Sequence, residues 1–401
     1  MDTREEQAPA RIAAGTPAFR RTNVAIFFCG FSIFAILYCT QPILPLYSEA
    51  FGVSAAESSL AVSLTTATMA VSMLVASSFS EVVGRKPMML GALISSSALT
   101  LLLAFAQDWT HVLWLRALTG VALSGMPAVA LAYLAEEMEP KAVAAAVGIY
   151  IGGSAFGGMS GRLLVSGLAE FSWRYGIAAL AITGFVAAVI FWRSLPPSRH
   201  FTARAPSVGK LAHSMLACAR NPGVALLLAM GFLLLGGFMS VYNYLGFRLQ
   251  GEPFLLTQAL AGLVYIVYLA GSFASAFMGA QSAKYGRGPV MVASLSLMTF
   301  GLLLMTPDWL PAILLGVVIL TFGFFGAHAI ASSWAAALAP SDKAQASSLY
   351  LLFYYVGGGA AGTMGGFFWS AGAWTGVALF SGAMMLGTIM IALMLWRIAP
   401  R

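Results

Sequence analysis

The chain has 401 residues, of which 60% are apolar and only 9% charged, and its mean hydropathy is strongly positive. That usage excludes an ordinary water-soluble globular protein. The net charge of +7 would suggest nucleic acid in a soluble protein; here the basic residues sit in short segments between apolar runs, which points to a membrane and no nucleic acid.

A helix needs about 20 apolar residues to cross a hydrocarbon layer of about 30 Å. Twelve such runs are present, near 23–46, 58–79, 88–106, 111–134, 143–167, 175–192, 223–245, 258–280, 290–306, 310–334, 347–369 and 376–396. No β-barrel alternation is seen. The expected organisation is a tail over 1–22, a six-helix bundle over 23–192, a linker over 193–222, a second six-helix bundle over 223–396 and a tail over 397–401. Placing residue 1 in the cytoplasm puts 17 of the 21 basic residues on that side, so both termini are expected to be cytoplasmic. The leader carries Arg20-Arg21, but the run behind it is longer than a signal-peptide core and reads as the first span. Cys29 and Cys39 are about 15 Å apart along one helix, beyond bridging range, and Cys218 falls in the linker, so no disulfide framework is expected.

The first span ends Tyr38-Cys39-Thr40-Gln41-Pro42-Ile43-Leu44-Pro45. Polar groups at membrane depth must face protein or a wet cavity, so Tyr38, Thr40 and Gln41 read either as a cavity-facing stripe or as interhelical hydrogen bonds. Pro42 and Pro45 predict a bent outer tip.

Between the second and third spans lies Ser80-Glu81-Val82-Val83-Gly84-Arg85-Lys86-Pro87-Met88-Met89, and 202 residues later Ser282-Ala283-Lys284-Tyr285-Gly286-Arg287-Gly288-Pro289-Val290-Met291. A matched turn in each half indicates a duplicated chain. Gly84 and Gly286 supply a positive φ, and Pro87 and Pro289 suit the first turn of the next helix.

The fourth span carries Arg116, followed by Gly120 and Gly125. Burying a guanidinium costs at least about 2.5 to 3.5 kcal/mol; Arg116 either snorkels to the outer boundary, about 7 Å away, or serves the interior. The fifth span holds Gly148, Gly152, Gly153, Gly157, Gly158 and Gly161, then Arg162, a spacing that lets helix backbones approach. In the eleventh span Tyr355, Gly357, Gly358, Ala360, Gly362, Met364 and Gly366 match Tyr150, Gly152, Gly153, Ala155, Gly157, Met159 and Gly161 at an offset of 205. The halves are therefore expected to lie parallel and to pack alike.

The linker contains Pro196, Pro197 and Pro206, and Val208, Leu211, Met215 and Cys218 fall opposite Lys210 and His213, predicting a short helix on the membrane surface. The second half adds Tyr242-Asn243-Tyr244, Tyr265, Tyr268, His328, Tyr354 and Tyr355. Such rings line a ligand site or form an interfacial belt. His328 is well inside a span and either exchanges protons or acts as a neutral hydrogen-bonding side chain.

All 14 acids fall in tails, loops or helix ends, with Glu49, Glu57, Asp108, Glu170, Glu252 and Asp308 on the outer side. No zinc spacing, phosphate loop or nucleophile with a paired base is present, so enzyme chemistry is disfavoured and no cofactor or metal is expected. Duplicated halves with glycine-rich helices suit alternating access better than a channel.

The turn at Glu81 to Lys86 resembles the signature of the major facilitator superfamily, G-x-x-x-D-R-x-G-R-K. Gly84, Arg85 and Lys86 match; Ser77, Glu81 and Val82 replace the first Gly, the Asp and the first Arg, while the second copy keeps Gly279, Lys284, Gly286 and Arg287 with Ala283 in place of the acid. The resemblance implies a cytoplasmic gate of Glu81, Gly84, Arg85, Lys86, Lys284, Gly286 and Arg287. Arg116 with Gly120 is similar to the family's fourth-helix motif, associated with proton coupling. The stretch from Gly153 to Gly158 resembles its fifth-helix antiporter motif, with Ser154 in place of Pro. Gln41 to Pro45, Gly157 to Arg162, Tyr242 to Arg248 and Gly326 to Trp334 resemble YnfM-like efflux permeases of bacterial inner membranes.

The resulting expectation is an all-α membrane protein of the major facilitator fold: twelve transmembrane helices in two pseudo-twofold-related six-helix bundles, a monomer in a bacterial inner membrane. It would export a small organic molecule against inward proton flow. Candidate substrate contacts are Tyr38, Gln41, Arg116, Tyr150, Arg162, Asn243, Tyr265, Tyr268, His328 and Tyr355. Candidates for proton coupling are Arg116, His328, Glu49 and Glu57. Arg116 and Arg162 reach similar depth with no buried carboxylate opposed, which favours a neutral or anionic substrate. Uptake on the same scaffold, or a receptor that transports nothing, are the alternatives.

Overall fold

The computed structural model describes residues 11–201 and 208–398; at Ser77, Ser78 and 208–213 only the backbone is described. Arg4, Arg204, Pro206 and Arg401 lie outside the described residues, as do the side chains of Val208, Lys210, Leu211 and His213. The described chain is helical throughout, with eleven continuous segments long and apolar enough to cross a membrane. The last, Lys343–Ile398, is two spans, because Gly372 and Ala373 leave helical φ/ψ midway. Twelve spans result.

The first span runs as α1 (Pro17–Leu37), a 3-10 turn (Gln41–Ile43) and α2 (Leu44–Phe51). Thr16 caps its start, accepting from the Phe19 amide at 3.2 Å. Pro42 ends α1: its ring clashes with the carbonyl four residues back and it offers no N–H. The Gln41 amide bonds Tyr38 instead, at 3.1 Å. The bend therefore begins at Tyr38, deeper than the expected tip. The second span is α3 (Ala55–Val83), opened by a reciprocal cap between Ser54 and Glu57. It is followed by α4 (Arg85–Leu103), then a fourth span broken at Pro127 into α5 (Trp109–Leu123) and α6 (Pro127–Glu137), then α7 (Pro140–Ala169) and α8 (Trp173–Ser194).

The linker helix α9 (Val208–Arg220) leads to α10 (Pro222–Gln250), the seventh span. The eighth is α11 (Gln258–Gly262), a tightened turn (Leu263–Val267) and α12 (Tyr268–Tyr285); α13 (Arg287–Leu304), α14 (Leu310–Ala337) and α15 (Lys343–Ile398) complete the chain. On α9, of the expected apolar side, Met215 packs against the core and Cys218 is buried, with Sγ 3.9 Å from the Asp342 carbonyl.

Gly84 (φ 98°) and Gly286 (φ 91°) make the two matched turns. They share one end of the bundle, here the basic end, with the start of α1 and the end of α15, where Gly288 packs against Trp396. Apolar side chains such as Val75, Trp114, Ile182, Leu315, Phe367 and Leu379 stand exposed on the outside, an exterior suited to lipid.

Within the first half, α1 packs on α7; within the second, α10 packs on α15. Glycine makes both approaches: Gly153 abuts the Phe27 carbonyl and Gly161 lies against Ala35, while Gly357 abuts the Phe232 carbonyl and Gly365 lies against Ser240. Gly357 follows Gly153 by 204 positions, whereas Phe232 follows Phe27 by 205. The sequence offset of 205 for the glycine helices is thus one residue longer than the register the packing uses, because Gly-rich strings also align in the neighbouring register, where Tyr150, Gly153, Gly158 and Gly161 meet Tyr354, Gly357, Gly362 and Gly365, and only the partner helix selects one.

Candidate functional site

The break in α1 organises the interior. Bending the helix at Tyr38 strips the carbonyls of Ile36 and Leu37 of regular intrahelical partners, and two arginines flank the exposed end. Arg116 is fully buried. Its Nη2 donates to Leu37 O at 2.6 Å, Nη1 to Ile36 O at 3.1 Å and Nε to Ala61 O at 2.7 Å. A cation at a helix C-terminus also complements the helix dipole. Arg116 does not snorkel to the outer boundary: its guanidinium is engaged by three backbone carbonyls, with Cys39 Sγ 3.6 Å from Nη1.

Arg162, on α7, is also fully buried but bound differently. Nε donates to Gln41 Oε1 at 2.8 Å, Nη1 to Gly158 O at 2.5 Å and Nη2 to the Tyr268 hydroxyl at 3.4 Å. The rings of Tyr38, Tyr268 and Tyr265 stand 4.5, 4.6 and 5.1 Å from the guanidinium carbon. Among the described residues no carboxylate forms an ion pair with it. The cation is held by ring quadrupoles and neutral oxygens.

Gln41 links the halves, donating from Nε2 to Asn243 Oδ1 at 2.8 Å. Asn243 Nδ2 is buried without a hydrogen-bond partner among the described residues. From Tyr268 a wall of rings crosses the second half: Phe238 lies 6.2 Å from Tyr268 and stacks on Phe324 at 3.7 Å. Phe324 stacks on His328 at 6.2 Å, and His328 on Tyr354 at 4.4 Å. His328 Nδ1 meets the Tyr350 hydroxyl at 3.1 Å.

The structure thus gathers Tyr38, Gln41, Arg162, Asn243, Tyr265 and Tyr268 into one cluster. His328 and Tyr355 lie along or beside the wall, Tyr355 5.2 Å from Tyr354. Tyr150 is buried on α7, its carbonyl against Gly30 of α1. Glu49 and Glu57 are exposed near the end opposite the basic turns, and Glu57 is engaged by the amide and hydroxyl of Ser54 at 2.8 Å; neither joins the cluster.

The halves also meet through residues that sequence reasoning did not single out. Gln258 Nε2 donates to Pro42 O at 2.8 Å, Ser166 Oγ to Gln258 O at 2.7 Å, and the Ala259 amide to Glu170 Oε2 at 2.8 Å. Thr363 and Ser63 join hydroxyls at 2.8 Å. These contacts lie in the half of the bundle away from the basic turns, and polar residues at span ends are too ordinary to have marked them. Toward the basic end a cleft of about 70 Å³ opens between the halves, lined by Ala70, Met73, Leu74, Ala128, Met215, Ser348 and Leu352. It stops short of the Arg162 cluster.

At the basic turn, Arg85 pairs chiefly with Glu136, at 2.7 and 3.2 Å, and lies 4.0 Å from Glu81. Lys86 donates to the carbonyls of Trp192 and Leu195. These partners all belong to the first half or its continuation. Lys284 sits 4.8 Å over the Tyr285 ring, and Arg287 opens α13. Arg248 is buried in the last turn of α10, bound to Asp308 at 3.0 Å and to the Met305 carbonyl.

Residues 26–267 match the model of the Major Facilitator Superfamily. The chain is 42% identical over 91% of both chains to an uncharacterised MFS-type transporter, YybF, of Bacillus subtilis (strain 168). It is 42% identical to the inner membrane transport protein YnfM of Escherichia coli (strain K12), over 96% of this chain and 93% of that one. In fold it resembles a bacterial homolog of the human lysosomal transporter Spinster in an inward-facing, unoccupied conformation. The TM-score is 0.77 at 15% identity, over 95% of this chain and 96% of that one.

Proposed function

The chain belongs to the major facilitator superfamily of multi-pass membrane transporters, and from that premise we propose that it exports a small neutral or anionic organic molecule by alternating access, in exchange for protons. The observation that carries this reading is Arg162, buried at the meeting of the halves with no carboxylate among the described residues paired to it. A buried cation left with neutral partners favours a ligand that brings negative charge or strong acceptors. Arg116 has its donors engaged by carbonyls and is assigned a structural part.

The basic turns are placed in the cytoplasm by the positive-inside rule, in the inner membrane of a bacterium. Hydrogen bonds joining the halves at the other end, and a cleft at the basic end, support a state closed to the outside. Expulsion of a monovalent anion from a negative interior releases about 2.3 kcal/mol per 100 mV, and exchange for an incoming proton doubles the charge moved. Of the proton-coupling candidates, His328, within hydrogen-bonding distance of the Tyr350 hydroxyl, is the one this reading favours as proton carrier. Purified protein in vesicles tests the reading. Counterflow of organic anions or neutral compounds, accelerated by a pH gradient, supports it; carriage of lipophilic cations alone overturns it.

A further inference from the structure

We propose that the substrate is an aromatic monocarboxylate, its carboxylate held by Arg162 and its ring laid on the Tyr268–Phe238–Phe324–His328 wall. This rests on the reading of Arg162 as the binding group and goes beyond it by naming the chemical class.

The head group follows from the donor geometry. A guanidinium offers five N–H groups in a planar fork that fits a carboxylate at two points. Gln41 takes Nε and Gly158 takes one side of Nη1, at 2.8 and 2.5 Å. The third contact, from Nη2 to the Tyr268 hydroxyl, is the longest at 3.4 Å. That hydroxyl stands where a carboxylate oxygen binds, and its displacement exchanges a long contact to a neutral oxygen for a hydrogen bond between two opposite charges. With Arg116 committed to Leu37, Ile36 and Ala61, one cation serves the site, and one anionic group matches it.

The body follows from the wall. Tyr268, Phe238, Phe324 and His328 lead away from Arg162 toward the basic end, with Phe238 and Phe324 face to face at 3.7 Å. Aromatic pairs add to plain apolar burial when rings can offset-stack or meet edge to face, so a flat ring gains more here than a saturated ring of equal size. A second buried group points the same way: Asn243 Nδ2, unpartnered beside Gly362, offers a donor to a ring hydroxyl or the carboxylate itself.

Thermal stabilisation and titration of the purified full-length protein in detergent test this with phenylacetate, cyclohexylacetate, 2-phenylethanol and 2-phenylethylammonium. Phenylacetate is expected to bind about 3- to 10-fold more tightly than cyclohexylacetate and at least about 10-fold more tightly than 2-phenylethanol. Phe238→Leu should erase the first preference and keep the second; Arg162→Gln should erase the second. Phe324→Leu replaces Phe238→Leu if that variant fails to fold. Equal binding of cyclohexylacetate and phenylacetate, or no binding by any of the four, overturns the aromatic class. If the anion preference persists in the former case, the reading of Arg162 stands; binding of 2-phenylethylammonium in place of phenylacetate overturns both.

Discussion

Arg162 donates from Nε to Gln41 Oε1 at 2.8 Å, and Gln41 in turn donates to Asn243 Oδ1 across the two halves at 2.8 Å. Gln41 reaches both because α1 ends at Leu37 and the chain tightens into a 3-10 turn. The site and the break in the first span are one arrangement.

Replacing Gln41 by Leu removes an acceptor from Arg162 and a donor from Asn243, leaving buried polar groups unmatched at about 1 to 3 kcal/mol each. The Gln41→Leu variant should unfold at lower temperature and lose substrate affinity; Gln41→Glu, ionised against Arg162, should recover part of the stability but leave anion affinity low, because its carboxylate occupies the cation. Thermal unfolding with and without ligand reads both effects.

Arg116 should behave as a structural residue. Arg116→Leu leaves the carbonyls of Leu37, Ile36 and Ala61 without this donor and should destabilise the fold by about 2 to 4 kcal/mol. Protein that does fold should bind substrate within about threefold of wild type. Loss of affinity at unchanged stability would contradict the capping role.

The close approach of α1 and α7 predicts a contrast between neighbouring glycines. A Cβ at Gly157 would overlap the Phe31 carbonyl, whereas one at Gly152 meets nothing within 4 Å. Gly157→Ala should cost about 1 to 3 kcal/mol, while Gly152→Ala should be neutral or mildly stabilising in a helix. Yield and melting temperature in detergent distinguish them.

Glu170 accepts the Ala259 amide in the first turn of α11, tying the first half to the second at the end away from the basic turns. A carboxylate near a helix N-terminus contributes about 0.3 to 1 kcal/mol. Glu170→Gln should therefore raise the population open at that end by about two- to fivefold, read as faster labelling of a cysteine introduced at Ser63. Unchanged labelling would show that this contact does not hold the seal.

At the basic turn, the short bidentate pair is Arg85–Glu136, with Glu81 at 4.0 Å. Glu136→Gln should perturb the turn more than Glu81→Gln, measured as loss of thermal stability and increased proteolysis at the linker. The opposite order would restore Glu81 as the chief partner.

Much of this architecture was legible in the sequence, because membrane spans and their duplication are written in local composition. Gly84 and Gly286 declared their turns through a backbone requirement that few other residues meet. Arg162 and its tyrosines were also visible as polar groups at membrane depth. What escaped were facts decided by partners far along the chain. The 204-residue register of the glycine helices depends on Phe27 and Phe232, and the commitment of Arg116 to Ile36 and Leu37 depends on a helix end 80 positions earlier. The seal at Ser166, Glu170 and Gln258 joins each of these side chains to a backbone group of the other half, and backbone groups carry no mark in the sequence.

The most direct measurement is flux of labelled phenylacetate in vesicles carrying the purified protein, with membrane potential and pH gradient imposed separately. Wild-type protein and folded Arg116→Lys should exchange the anion and respond to both gradients, while Arg162→Ala should fall to the rate of protein-free vesicles. Undiminished flux in Arg162→Ala, or transport confined to cations, would contradict a site centred on Arg162.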